Sequence, residues 1–433
     1  MNVFSNLKRE AHFVAKQRYV IAFLSIVFLL AVFSVWSGIS ETQSQLTTIE
    51  RLQQKDQIDR EDVLSKQSDY GSAAYYTFQL TYSAPSEIAF AALGQRDIYP
   101  WKHRVRMLAL EGQIYETDVD NPELSFLGKF DFAFLVSVLL PLFVILLLHD
   151  LRSSEREAGR YDLLITTARK QQNLWLSRAF VLCSALAIAV LLPFIVGVLF
   201  FKAPLTSALL MILVVLAHLV FWMLLTLAFT ASKTASKQSS AQTASVLLAA
   251  WLTVTVLVPV VSDMAIDEMV HSPNGGEIVL TQREAVNDAW DLPMSDTWDA
   301  FLVNHPKWKD STQMDSLFEW KWYYAFQQVG DEKASELSNA YLNATLEKDA
   351  LAGRFALLSP PMLAQRLMSS IAGTDTQASM RYEQSVRQYH QRLRHFYYPL
   401  LFSDDEFSLD TMSGLPKFTP LKIYKATKSS HSF

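Results

Sequence analysis

Residues 181–230 read VLCSALAIAVLLPFIVGVLFFKAPLTSALLMILVVLAHLVFWMLLTLAFT, a stretch whose one Lys is Lys202 and which has no Arg, Asp or Glu. A helix crosses the roughly 30 Å hydrocarbon layer of a bilayer with about 20 apolar residues. Two such runs are present, 179–201 and 205–230, parted only by Lys202-Ala203-Pro204. This spacing predicts two spans folded into a tight helical hairpin. Working outward, the same test finds runs at 19–39, at 131–149 and at 241–262. The second has a charge-free core at 132–148, which Phe130 and Phe134 extend toward the interface. The sequence therefore predicts an α-helical polytopic membrane protein with five spans, numbered 1 to 5 in chain order.

One further run, 355–372, is apolar but carries Pro360-Pro361 in its middle and Arg366 soon after. An Arg at a span centre costs about 2.5–3.5 kcal/mol, whereas each Leu returns about 0.3–0.6. It is read as a loop and helix buried in a soluble domain, not as a sixth span.

Composition agrees with segregated apolar runs. Half of the residues are hydrophobic and 19% are charged, against roughly 25% charged in an ordinary soluble domain. The net charge of −5 gives no basic footprint for nucleic acid. The one cysteine, Cys183, lies in span 3, so no intrachain disulfide can form. The apolar run after Arg18 is too long for a cleavable signal peptide.

Lys and Arg in short loops set orientation. They cluster before span 1 (Lys8, Arg9, Lys16, Arg18), after span 2 (Arg152, Arg156, Arg160, Arg169, Lys170, Arg178) and after span 4 (Lys233, Lys237). All three sets share one side if the N-terminus is cytoplasmic, and an odd number of spans then puts the C-terminus outside. Segment 1–18 is read as an amphipathic interfacial helix, with Val3, Phe4, Leu7, Ala11, Val14 and Ala15 on one face and its cations toward lipid headgroups. Segments 150–178 and 231–240 become cytoplasmic loops. Two large extracytoplasmic domains follow, 40–130 and 263–433. The first is read as mixed α/β: Leu46, Ile49, Leu52, Asp56 and Val63 continue the span 1 helix outward, and 75–82 looks like a strand. The second is read as mainly α, from the helical spacing of Leu337, Tyr341, Ala344 and Lys348, and of Tyr382, Val386, Tyr389, Leu393 and Phe396 after an N-cap at Thr374-Asp375. The last residues, around 425–430, read as a frayed tail.

The loop after span 2 carries Glu155, then Glu157-Ala158-Gly159, then Leu163-Leu164. A short helix held between two spans is stiff along its axis and can transmit a push. Leu163 and Leu164 suit a partner's groove, Glu155 and Glu157 its cations, and Gly159 a sharp turn. Here the sequence resembles the ABC-2 class of exporter permeases, in which an acidic residue, a Gly and a Leu-rich turn form a cytoplasmic coupling helix, with basic residues such as Arg169 and Arg178 leading into the next span. The resemblance continues in Pro85-Ser86-Glu87-Ile88-Ala89, Gly94-Gln95-Arg96-Asp97, Pro100, Asn121-Pro122, 128–134, Pro141-Leu142, His305-Pro306, Trp308 and 323–328. These motifs are similar to a branch with two large extracytoplasmic insertions and relatives in a copper-linked system for nitrous oxide reductase maturation. The resemblance implies a bacterial inner-membrane permease subunit, a separate ABC ATPase that binds ATP and Mg, a second permease chain of the same or another kind, surrounding lipid and an optional periplasmic partner. The chain departs from the usual six spans of that class.

No phosphate-binding G-x-x-x-x-G-K-[ST] occurs, since Glu123 stands where the loop before Gly128-Lys129 would need its first Gly. ATP would have to be hydrolysed elsewhere, and no catalytic signature marks the chain as an enzyme. No metal-ligand spacing appears among the nine His. Asp263, Asp267 and Glu268, with Met264 and Met269, read as a solvated helix rather than a cation site. His218 in span 4 is the one intramembrane ionisable group that could mark a transport path. Three functions remain open: ATP-driven export, mechanotransmission that moves the outer domains without transmembrane flux, and a membrane-anchored enzyme or sensor.

Overall fold

An apolar segment can satisfy its backbone in lipid only by closing its own hydrogen bonds. In the computed structural model each of the five runs does so as a helix: Arg18–Leu64, Phe132–Glu157, Asn173–Phe201, Leu205–Ala231 and Ser240–Met269 are long and apolar enough to cross a membrane. The structure describes residues 3–115, 130–167, 171–231, 239–311, 316, 318–403 and 405–420. Asn121, Pro122, Glu123, Gly128, Lys129, Arg169, Lys170, Lys233, Lys237 and the tail at 425–430 lie outside the described residues.

Span 2 is the centre of the bundle. Of its most apolar window 67% is buried, against 6% for span 5. The span 1 helix packs along the span 3 helix, and span 4 packs on spans 2 and 3. The hairpin between spans 3 and 4 turns at Lys202, whose φ of 51° closes it in so few residues. The N-terminal helix, Val3–Val14, lies against the start of the span 3 helix.

Spans 2 and 5 each contain a π-turn, Leu135–Leu139 and Thr253–Leu257. A π-turn disturbs the regular backbone ladder and leaves carbonyls that need other donors. Trp251 of span 5 donates its indole N–H to the Val138 carbonyl at 3.1 Å, and the Ser359 hydroxyl donates to the Val254 carbonyl at 2.5 Å. These two carbonyls are thus met from a different part of the chain.

The span 1 helix runs on for 47 residues, about 70 Å at 1.5 Å per residue, and carries span 1 into a large domain as expected. That domain is one unit. Leu64, Tyr70, Ala74, Val105 and Leu110 from the first segment share a core with Phe301, Tyr324, Tyr382, Val386, Tyr389 and Leu393 from the second. The two segments are joined by polar contacts as well. The Asp331 carboxylate, buried on helix Trp320–Phe355, accepts the Leu110 N–H at 2.7 Å and the Glu111 N–H at 3.1 Å, so it caps helix Leu110–Tyr115, and it pairs with Arg394 at 2.5 Å. Helix Thr376–Leu401 starts at the expected cap, where Asp375 accepts the Ala378 N–H at 2.9 Å.

The strand expected over 75–82 is shorter. Tyr75 and Tyr76 end a helix, Tyr70–Tyr76, because Asp69 caps it by accepting the Ser72 N–H at 2.7 Å. The strand β1, Gln79–Tyr82, pairs antiparallel with β2, Lys102–Val105, in the register Gln79↔Val105. Two strands are the whole sheet among the described residues.

Residues 355–372 hold a 13-residue helix, Pro360–Ala372, too short to span, in agreement with the rejection of a sixth crossing. Its surroundings differ from the soluble core expected for it. It packs on spans 2, 4 and 5, with Met368 and Ala372 inside the core of the bundle. Gln365 bonds Ser137 of span 2 at 3.0 Å. Beside it sits Ile88-Ala89-Phe90-Ala91-Ala92-Leu93, every residue buried. Phe90 fits because span 1 has Gly38 and span 3 has Gly197 there. A Cβ on Gly38 would stand 1.8 Å from the Phe90 carbonyl oxygen, and one on Gly197 would stand 2.4 Å from its ring. Two pieces of the large domain therefore fill the end of the bundle nearest to it.

Candidate functional site

The alternating direction of the five candidate spans puts the loop between spans 2 and 3 at the end of the bundle away from the large domain. It folds as two short helices, Ser153–Glu157, which follows a turn at 149–152 at the end of the second candidate span, and Tyr161–Thr167. Gly159 separates them at φ 67°, with open space where a Cβ would be. The Gly159 N–H donates to the Arg156 carbonyl and the Arg160 N–H to the Glu155 carbonyl at 2.9 Å. This is the Schellman arrangement, in which a residue in the left-handed region ends a helix and its last carbonyls are satisfied. The sharp turn read from the sequence is present, and its chemical basis is the conformation of Gly159.

The sequence treats Glu155 and Glu157 alike, and the structure separates them. Glu157 is exposed. Glu155 is buried, accepting from the Arg178 guanidinium at 2.8 Å and from Arg160 at 2.8 Å. It therefore holds the loop and does not present its charge outward. Arg178 reaches a second carboxylate, Glu10 of the N-terminal helix, at 2.9 Å. Side-chain exposures of 10% for Arg178, 3% for Glu10 and 7% for Glu155 place all three where water screens little. The planar guanidinium can donate to two carboxylates from separate nitrogens, which a Lys cannot match. The rings of Phe13 and Trp175 lie 5.4 and 5.6 Å from its centre, within cation–π range.

The two leucines also divide. Leu163 is 66% exposed. Leu164 is partly buried against the bundle core together with Tyr161, whose ring stacks on Trp175 at 6.0 Å. The loop thus has an inner face of Glu155, Tyr161 and Leu164, fixed to spans 2 and 3 and to the N-terminal helix, and an outer face of Glu157 and Leu163. Arg169 lies outside the described residues. Glu10 was missed by the sequence reading. Its signal was an acid on the face opposite the cations of a basic amphipathic helix, but nothing local names a partner 168 positions away.

His218 is buried in span 4. Trp222 meets it edge-on at 6.4 Å. The His218 Nε2 has no hydrogen-bond partner among the described residues. Asp267 pairs with Lys348 at 2.7 Å, and no metal-binding group of His, Cys, Asp and Glu occurs among the described residues.

Residues 276–420 match a family described as Domain of unknown function (DUF3526). The match covers much of the large domain and none of the five candidate spans or the loop at 150–178. No curated protein matches the chain, and no solved structure does.

Proposed function

We propose that this chain is the permease subunit of an ATP-driven type-2 ABC exporter, with the loop at 150–167 as its coupling element. The observation that carries this reading is the two-sided loop. Its inner face is locked to span 3 and to the N-terminal helix by Glu155, Arg178 and Glu10, and its outer face offers Glu157 and the exposed Leu163. A rigid bracket with an apolar knob suits a groove on a motor subunit, and a push on the knob would reach spans 2 and 3 directly. The motor would be a separate ABC ATPase that binds ATP and Mg. A second permease chain, of the same or another kind, would complete the path, and the sparsely buried face of span 5 offers it or lipid a surface. The basic loops support a bacterial inner-membrane location with a cytoplasmic N-terminus and an extracytoplasmic C-terminus.

One observation favours mechanotransmission as the second reading. The span 1 helix is a single rod from Arg18 to Leu64, and the bundle end beneath the large domain is filled by Phe90 and helix Pro360–Ala372. Motion of the spans would then drive the domain without opening a path.

The test is purification in mild detergent from the native host, followed by identification of bound subunits and measurement of ATP hydrolysis. An ABC ATPase should co-purify, and Glu157→Lys or Leu163→Asp should release it or uncouple hydrolysis from transport. Absence of any ATPase, or wild-type coupling in both variants, would overturn the proposal. Flux into reconstituted vesicles separates export from mechanotransmission.

A further inference from the structure

The large domain contains a cavity of about 560 Å³ far from the coupling loop. One wall is the distal part of the span 1 helix, with Asp56, Arg60 and Leu64. The second is β1, through Leu80 and Tyr82. The third is the segment around helix Leu409–Met412, with Met412, Leu415 and Phe418. The volume is within the range of ordinary ligand sites.

The strand supplies main-chain groups. In an antiparallel pair, alternate residues turn their N–H and C=O toward the partner and the others turn them away. The Ser83 N–H donates to the Trp101 carbonyl at 2.8 Å, one step beyond the register pair Tyr82↔Lys102. Residues 79, 81 and 83 therefore face β2, and the main-chain N–H and C=O of Leu80 and Tyr82, two residues that line the cavity, face the other way. Among the described residues no other strand covers that edge.

The helix wall is charged and closed. Asp56 pairs with Arg60 one turn on, and Asp56 is 7% exposed. Its Oδ1 and the Arg60 Nε are shut off from solvent, so the pair braces the wall and offers no group to a ligand. Gln53 donates to the Tyr82 hydroxyl at 2.5 Å and fixes the rim. Leu64, Leu80, Met412, Leu415 and Phe418 supply apolar lining, and Gln57, Glu61, Ser65, Ser413 and Lys417 supply the polar remainder.

We propose that this slot binds a short extended peptide segment with apolar alternate side chains, added as a third strand on the open edge of β1. Main-chain pairing gives the affinity in this mode, and the apolar lining selects side chains. The inference does not rest on the exporter reading. Because the helix wall belongs to the same rigid helix as span 1, a bound segment would be attached to the membrane part.

The test uses the full chain in detergent micelles and a fluorescein-labelled, end-capped Lys-Val-Thr-Val-Thr-Lys peptide, read by anisotropy. Saturable binding is expected. N-methylation of alternate peptide nitrogens should weaken it at least tenfold, with no change to the protein. Met412→Trp, which narrows the cavity at one wall, should weaken it similarly, and so should Leu80→Pro, which removes an outward donor and no bond to β2. Absence of saturable binding, equal affinity of the N-methylated peptide, or unchanged binding by folded Met412→Trp overturns the proposal. So does displacement of the peptide by lysophosphatidylcholine below its micellar concentration with no effect of N-methylation, which would make the slot an amphiphile site.

Discussion

Replacing Arg178 with Met keeps the stem of the side chain and removes the charge that two buried carboxylates share. Loss of one partner from a buried ion pair costs about 3–5 kcal/mol, because the remaining charge stays desolvated. Glu10 keeps Arg9 at 3.1 Å and Glu155 keeps Arg160 at 2.8 Å. Arg9 is 49% exposed and Arg160 61%, so these contacts compensate little, and the lower end, about 3 kcal/mol, is the expected cost. This cost falls on the docking of the N-terminal helix and on the loop. In hydrogen exchange, amides of Val3–Val14 and Ser153–Glu157 should lose protection by roughly 100-fold, since about 1.4 kcal/mol is a factor of ten. Amides in the middle of Leu205–Ala231 should not change. Arg178→Lys should fall between the two, because an ammonium cannot bridge both acids in the same geometry. In the double variant Glu10→Gln, Arg178→Met the losses should be less than additive. Protection within threefold of wild type in both segments of Arg178→Met would refute the bridging role.

The remaining predictions concern other links of the fold. Gly159→Ala meets no clash but forces an L side chain into the left-handed region, so it should cost about 1 kcal/mol, read as faster exchange confined to 153–167. Ser359→Ala removes the donor to the Val254 carbonyl and the cap on the Met362 N–H, and a loss of about 1–3 kcal/mol is expected in detergent unfolding. Burial holds the His103 imidazole down at about 4 against an ordinary 6.5, and burial also holds His390 well below its usual value. A depressed histidine is neutral in the folded domain and protonated when unfolded. Its contribution is therefore complete above about pH 6.5 and lost as pH falls toward 4. For His103 alone this is about 2 kcal/mol at pH 5. Asp331 and Glu383, raised by burial, act in the opposite sense, so the histidine share is the difference in pH slope between wild type and His103→Gln. Equal slopes would show that His103 is not the responsible group.

Much of the membrane part was legible locally. A charge-free run of sufficient length has one way to satisfy its backbone in lipid, so 19–39, 179–201, 205–230 and 241–262 declared themselves without reference to anything else in the chain. The outward continuation of span 1, the cap at Asp375 and the turn at Gly159 were legible for a similar reason, since each depends on neighbours within one or two helical turns. The aromatic run at 75–82 misled because a cap at Asp69 outweighed the β-propensity of Tyr75 and Tyr76.

The candidate site divides along the same line. The sequence alone determined that the loop after span 2 carries a short helical segment with a sharp turn at Gly159, two acids and two leucines, and the structure divided it into two helices. The sequence could not determine which of each pair faces inward, because Glu155 and Glu157, or Leu163 and Leu164, differ only in what lies opposite them. The tertiary structure decided that by bringing Arg178 between Glu155 and Glu10. It likewise placed helix Pro360–Ala372 against spans 2, 4 and 5, where its Pro pair and Arg366 had suggested a soluble setting, and it merged two segments into one core. The physical reason is common to all of these. Local sequence sets which backbone conformation is cheap, but a buried charge, a freed carbonyl or a half-apolar helix face is stabilised only by a partner from elsewhere in the chain, and that choice is made when the helices pack.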